Sequence, residues 1–241
     1  MKKQLLGATL FSLILTAPVS AVQPYRKAAG DCKIELKQDT LTIENSLIKR
    51  SWLWNNGNLI TCKLEDKGNG LAWQLRNNQP DLSLPGEEKE GSEACIRIEE
   101  VPASLQYTHH LRATVEYKAG NLQVRKILKI YPDCPAIACE LYLKGQASQK
   151  WIKALDNPAD LQNIKLTQNS QGGNVPVMEQ LMLEGKHWQL EAVEFFDVTD
   201  RFNTLVRPVH ALSYRDCLYR GNLLFAENTE KEAGFFMLKE A

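Results

Sequence analysis

Residues 43–64 read IENSLIKRSWLWNNGNLITCKL, and this stretch carries the clearest hairpin signal in the chain. Asn56 and Gly57 both tolerate the positive φ angles of a two-residue type I′ turn, whose twist matches that of the strands it joins. Apolar-rich runs at 47–54 and 59–64 flank this turn. We therefore expect an antiparallel hairpin with four facing pairs: Trp54 with Leu59, Leu53 with Ile60, Trp52 with Thr61 and Ser51 with Cys62.

Trp52 and Trp54 lie two residues apart, so in a strand they share one face. That face is either a wall of the core or an exposed platform on which a planar or sugar-like ligand stacks. Tryptophan is usually highly buried, and the apolar partner Leu59 suits a core position, so the residues themselves favour the core.

Short segments with period-two alternation recur along the rest of the chain. They cover residues 33–37, 40–43, 71–75, 94–100, 104–118, 122–131, 136–143, 179–183, 187–195, 205–214, 222–226 and 234–238. A second hairpin turns around Ala119, Gly120 and Asn121. Such a series of short strands with turn residues between them predicts an all-β fold, a large two-sheet antiparallel β-sandwich formed as a single domain over residues 22–241.

Residues 1–21 have the pattern of a secretory signal peptide. Lys2 and Lys3 precede an apolar run too short to span a bilayer, and small residues at Val19 and Ala21 suit cleavage after Ala21. The sequence thus predicts an exported protein that is periplasmic, at the cell surface or extracellular. Loss of the two lysines takes the formal net charge from 0 to −2, so we expect neither nucleic acid nor membrane as a partner.

Six cysteines remain after export, at positions 32, 62, 95, 134, 139 and 217. They either oxidise into as many as three disulfides, with 15 possible pairings, or serve as small core residues in a domain large enough to fold without bridges. Cys134 and Cys139 flank Pro135 and are the nearest pair in sequence. No ligand spacing for zinc occurs, and we expect no metal and no cofactor.

Catalytic motifs with defined spacing do not occur: the chain has no nucleophile elbow, metalloprotease helix, phosphate loop or dinucleotide fingerprint. The four histidines, at 109, 110, 187 and 210, lie on or beside predicted strands, where each is expected to serve as a strand residue rather than a base. Asp197 and Asp200 are a carboxylate pair near Phe195 and Phe196, yet their spacing favours a turn in which their oxygens accept backbone hydrogen bonds.

A sugar site needs an aromatic ring beneath the apolar face of a pyranose and amide or carboxylate groups at its edge. Trp54, Asn55 and Asn56 at the hairpin tip supply both and are the candidate substrate-binding residues. Three other tryptophans, Trp73, Trp151 and Trp188, are weaker candidates. Trp151 stands out because it opens a long polar excursion over 148–176, and long loops often carry function.

Three segments resemble one known family. They are IENSLIKRSWLWNNGNLIT at 43–61, VEFFDVTDRFNTLV at 193–206 and GNLLFAENTEKEAGFFMLKEA at 221–241. In order and spacing they resemble segments of the N-terminal β-supersandwich of bacterial α-galactosidase-like enzymes. These enzymes are glycoside hydrolase family 36 and its melibiase relatives in clan D. In that family a catalytic (β/α)₈ barrel follows the sandwich and supplies both catalytic aspartates.

The resemblance implies a galactoside-like carbohydrate and a catalytic barrel as partners. It also implies that this chain, which stops straight after an apolar strand, is truncated before the barrel and holds no catalytic residue. Trp52 is then a core residue, while Trp54, Asn55 and Asn56 project toward the sugar.

Two alternatives stay open at this level. One is a self-standing carbohydrate-binding module of the same sandwich type. The other is a mutarotase-like aldose epimerase, in which His110 or His210 would act as the acid beside a glutamate base. Fold resemblance does not choose between them, because function depends on the site.

Overall fold

A computed structural model describes residues 25–151, 176–183, 187–194, 207–213 and 223–238. The described residues do not include residues 1–21, which are the predicted signal peptide, the polar excursion beyond Trp151, or Asp197 and Asp200. The prediction of an all-β antiparallel fold is confirmed, since the described residues form fourteen strands and one short 3₁₀ turn.

The strands are β1 Tyr25–Ala29, β2 Cys32–Lys37, β3 Thr40–Glu44, β4 Ile48–Leu53, β5 Ile60–Asp66, β6 Leu71–Gln74, β7 Ser92–Val101, β8 His110–Ala119, β9 Leu122–Ile130, β10 Ile137–Gly145, β11 Trp188–Glu194, β12 Arg207–Ser213, β13 Leu223–Asn228 and β14 Ala233–Leu238.

In the described part of the chain, these strands form three antiparallel sheets rather than two. The first is a six-stranded meander in the order β1-β2-β3-β4-β5-β6, the second has the order β10-β9-β8-β7, and the third has the order β12-β11-β13-β14. Neighbours in sequence are mostly neighbours in a sheet because short hairpins connect them, which is the usual antiparallel arrangement.

The main core lies between the first and second sheets. This core forms because apolar and polar side chains alternate along the strands. In β2, Cys32, Ile34 and Leu36 point inward, while Lys33 and Glu35 between them stay partly exposed. The same period of two recurs on facing strands, so apolar side chains meet between the sheets. The largest fully buried apolar members are Trp52, Ile34, Leu41, Ile43, Leu59, Leu111, Leu128, Ile130, Val115 and Val124.

A smaller core joins the first sheet to the third. Trp73 of β6 packs 6.0 Å from Trp188 of β11 and 6.4 Å from Phe235 of β14, measured between ring centroids. The tilted and edge-on angles of these rings are the favoured arrangements for aromatic pairs. Trp73 and Trp188 are therefore structural residues, and neither offers a face to a sugar.

The opening hairpin has the predicted strands but a longer connection. Leu53 pairs with Ile60 and Trp52 with Thr61 as expected, while a β-bulge between Ser51 and Trp52 places Ser51 opposite Lys63 instead of Cys62. Residues 54–59 form the connection, so the predicted type I′ turn and the Trp54–Leu59 pair were wrong. The physical reason is burial, because residues 57–59 turn inward and Leu59 enters the main core.

Two further strand predictions have opposite outcomes, and one strand was not predicted. The second hairpin is confirmed, with Gly120 at a φ of 55° in a two-residue connection between β8 and β9. A strand at 179–183 was wrong, since these residues form no strand. Strand β1 was missed because it is an edge strand, largely exposed on both faces, and therefore lacks clear alternation.

The described cysteines, at 32, 62, 95, 134 and 139, are all free thiols. Cys32 is buried, and its pKa is raised to about 12 by that burial and by the negative charge of Asp31. A thiol of this kind is inert as a nucleophile and acts as a small core residue.

Candidate functional site

The hairpin tip is a compact turn of left-handed residues. The 3₁₀ turn Asn55–Gly57 connects β4 to β5, and its three residues have φ angles of 36°, 50° and 93°. Asparagine and glycine are the residues that adopt such angles most readily. The local sequence thus explains the turn, although the number of residues in it was not predicted.

Polar groups anchor the tip to the loop that leads into β7. The Asn55 Nδ2 amide donates to the carbonyl oxygens of Asn58, at 3.1 Å, and of Lys89, at 3.2 Å. The Asn58 Nδ2 amide, itself buried, donates to the oxygens of Leu82 and Lys89 at 3.2 and 2.8 Å. Tyr117 of β8 donates its hydroxyl to Asn58 Oδ1 at 3.0 Å, which ties the tip to the opposite sheet.

Two glycines allow the backbones to approach this closely. A Cβ on Gly57 would lie 2.9 Å from Cβ of Tyr117, and a Cβ on Gly91 would overlap the carbonyl oxygen of Asn56. Each contact is closer than side chains with a Cβ permit, so only glycine fits there. The tip is consequently held in one position against β8 and the 89–91 loop.

The groups of the tip that reach solvent are Asn56 and part of Trp54, together with Glu90, which was not predicted from the sequence. Trp54 is half-buried and packs against the main core, while Asn56 is exposed. The Asn56 Nδ2 amide donates to Glu90 Oε1 at 2.6 Å. Among the described residues, Asn56 Oδ1 and Glu90 Oε2 accept no hydrogen bond, so they face solvent as acceptors. Of the three predicted substrate-binding residues, Asn55 uses its side-chain amide in the contacts that anchor the tip.

The remaining candidates have structural surroundings. Trp151 is half-buried, contacts the main core and donates its indole N–H to the Pro85 oxygen at 3.0 Å. His110 is buried against Tyr131 with 4.9 Å between the rings, and its Nδ1 lies 2.8 Å from the Thr108 oxygen. His210 is in β12, where the side chains lie outside what is described.

Sequence reasoning missed a cluster of charged side chains between the sheets. Asp81 is fully buried: its Oδ1 accepts the Thr61 backbone N–H at 2.7 Å, and its Oδ2 accepts the Thr61 hydroxyl and the Trp52 indole N–H at 2.5 and 2.9 Å. Arg50 donates to Asp81 Oδ2 at 3.0 Å and to Glu179. The sequence held one sign of this cluster. Lys126 lies on the same face of β9 as the apolar residues Val124 and Leu128, and it is buried with them.

Asp81 and Glu179 have pKa values shifted in opposite directions. Burial, and then the charge of Glu179, raises the pKa of Asp81. Burial also acts to raise the pKa of Glu179, yet the charges of Arg50 and Lys126 outweigh it and leave that pKa below its usual value. Such divergence can mark an acid and base pair. Here, however, protein donors occupy both oxygens of Asp81, which is typical of a structural network.

The described residues contain no group of histidine, cysteine and carboxylate side chains arranged to hold a metal ion. Nor do they contain a helix long and apolar enough to cross a bilayer. Comparison of the chain with protein-family models, with curated proteins and with solved structures yields no match.

Proposed function

We propose that this chain is a non-catalytic, carbohydrate-binding β-sandwich domain, the N-terminal part of an exported α-galactosidase-like glycoside hydrolase. The observation that supports the proposal is the hairpin tip. There the Asn56 amide bonds the Glu90 carboxylate, and half-buried Trp54 lies two residues before Asn56 on a backbone held in place by Gly57 and Gly91.

The tip suits a galactoside because of the groups it leaves available. Asn56 Oδ1 and Glu90 Oε2 are acceptors for sugar hydroxyls, and the exposed part of Trp54 is an apolar surface for the C–H face of a pyranose. The bond between Asn56 and Glu90 already orients both side chains. Binding therefore orders little that was mobile, which lowers its entropic cost.

The charged cluster supports the non-catalytic half of the proposal. Asp81 is enclosed, with its oxygens accepting bonds from Thr61, Trp52 and Arg50. A general acid must reach the substrate, directly or through one water molecule. In the proposed protein the chemistry belongs to the barrel, and this domain supports it and contacts the sugar.

The test is a titration of the purified chain with galactose, followed by tryptophan fluorescence. Asn56→Ala and Trp54→Ala should each raise the Kd at least about tenfold, equivalent to about 1.4 kcal/mol, because each removes a sugar contact. Asn69→Ala is the matched control, since Asn69 also precedes a glycine and donates to a nearby carboxylate, Asp66, at 2.7 Å. This control should bind galactose like the wild type.

Two results would contradict the proposal. One is the absence of any saturable response to galactose, or an affinity that Asn56→Ala and Trp54→Ala leave unchanged. The other is turnover of an aryl α-galactoside by this chain alone, which would show that the chain itself is catalytic.

A further inference from the structure

Residues 176–183, which we call the strap, cross the molecule without forming a strand of any sheet. Backbone groups hold one end of the strap, since Ser83 and Val177 exchange two N–H···O bonds, each of 2.9 Å. The pairing is an isolated antiparallel bridge, the contact that an extended peptide makes with an exposed backbone edge.

Asn77 recognises the strap backbone a few residues further on. Its Nδ2 donates to the Gln180 oxygen at 2.7 Å, and its Oδ1 accepts the Met182 N–H at 2.5 Å. One side-chain amide thus satisfies a carbonyl and an N–H that lie two residues apart. This is how a side chain binds an extended peptide irrespective of the peptide's side chains.

Glu179 supplies the specific contact. Arg50 donates to it, while the Arg50 guanidinium also lies 4.7 Å above the Trp52 ring and pairs with Asp81. Among the described residues, Asp81 is the carboxylate that the sandwich itself contributes to this cluster, whereas Arg50 and Lys126 both bring positive charge. The sandwich without the strap therefore presents an uncompensated positive charge at this position, which an acidic residue neutralises.

We propose that Ser83, Asn77 and Arg50 form a recognition groove for an extended peptide with a central glutamate, and that the chain's own strap occupies this groove. The backbone contacts of Ser83 and Asn77 provide affinity, and Arg50 provides selectivity for the acid. Because an intramolecular ligand competes at a high effective concentration, the groove becomes available to another peptide when the strap is weakened. This groove is independent of the sugar contact proposed at the hairpin tip.

The experiment measures binding of a fluorescently labelled peptide with the sequence of residues 176–183, PVMEQLML, by anisotropy. The full-length chain is used as wild type and as two strap variants, Glu179→Gln, which removes the charge, and Val177→Pro, which removes an N–H donor. Both variants leave the groove residues intact. The peptide should bind each strap variant at least tenfold more tightly than it binds the wild type.

Two controls separate recognition from nonspecific binding. A peptide with glutamine in place of its glutamate should bind the strap variants at least tenfold more weakly. Adding Asn77→Ala to Glu179→Gln should likewise weaken the binding of the original peptide. Circular dichroism establishes which variants are folded, and either folded strap variant suffices for the comparison.

The proposal is overturned if the peptide fails to bind a folded strap variant. Equal affinity of the strap variants and the wild type, or of the glutamate and glutamine peptides, would also overturn it, because the strap would then be only a structural part of the sandwich.

Discussion

At the scale of single residues, Asp81 connects strands β4 and β5 and, through Arg50, the strap. It receives hydrogen bonds from Trp52 and Arg50 of β4 and from Thr61 of β5, and through Arg50 it is linked to Glu179 of the strap. Inside a protein, such a network is stable only when every member has partners. Its stability therefore depends on the one residue that accepts from all three donors.

We predict that Asp81→Ala destabilises the fold by about 3–5 kcal/mol, because it removes one partner of a buried ion pair with Arg50 and leaves the donors of Trp52 and Thr61 without their acceptor. The free energy of unfolding in urea measures the effect. As a control, Glu116→Ala breaks the exposed pair with Arg125 and should cost less than about 1 kcal/mol. Similar losses in the two variants would show that the buried network has no special role.

At the scale of elements, the β4–β5 connection shows how a local signal and a tertiary contact share control of one turn. Asn55, Asn56 and Gly57 are suited to left-handed backbone angles, which is why a turn occurs here. The shape of that turn depends on Tyr117 and Lys89, which lie on other elements and bind it. The length of the connection was therefore not predictable from residues 54–59 themselves.

Gly57→Ala tests the close approach at this turn. Gly57 and Gly70 both have positive φ, at 93° and 68°, but only Gly57 has a neighbour within 4 Å of the added Cβ, namely Tyr117 at 2.9 Å. Gly70→Ala should cost about 1–2 kcal/mol for backbone strain alone. Gly57→Ala should cost about 1–3 kcal/mol more, because the methyl group overpacks the tip.

The comparison is made by urea unfolding of both variants, since both glycines have a positive φ but only Gly57 has close neighbours around the added Cβ. Equal costs would show that Tyr117 yields to the added methyl group. In that case the tip is less rigid than the contacts of Gly57 and Gly91 indicate, and the argument for a preorganised sugar contact weakens.

At the scale of the whole molecule, ion pairs and charged hydrogen bonds across strands make stability depend on pH. Hydrogen bonds from the side chain and the backbone of Ser46 lower the pKa of Asp31, and the bond and charge of Lys129 lower that of Glu140. A carboxyl group with a lowered folded pKa stabilises the fold above its unfolded pKa. That stabilisation is lost as pH falls through the folded pKa.

We therefore expect the free energy of unfolding to fall as the pH drops below the ordinary values of 3.8 for Asp31 and 4.5 for Glu140. Asp31→Asn should lose less stability than the wild type between neutral pH and pH of about 3, since it has no such proton to bind. Urea unfolding at the two pH values gives both differences. A decrease in Asp31→Asn as large as that in the wild type would exclude Asp31 as a contributor.

The sequence by itself determined the elements of this protein. Alternation of apolar and polar residues identified most strands, because period-two burial is a local property of a strand. The Asn-Gly turn signal led to the pairs Leu53–Ile60 and Trp52–Thr61, and the usual burial of tryptophan favoured the core position of Trp52. Residues that are buried but charged, such as Lys126, or exposed on both faces, as in β1, depart from that alternation. The charged cluster and strand β1 were accordingly missed.

Only the tertiary structure decided which polar groups meet. Glu90 joins Asn56 from 34 residues away, and Glu179 joins Arg50 from 129 residues away, so neither contact leaves a periodic trace in the sequence around it. A hydrogen bond or ion pair forms wherever folding brings donor and acceptor within reach. The contacts of the hairpin tip and of the strap groove therefore depend on packing between sheets and loops. The strands beside them depend on the local alternation of apolar and polar residues.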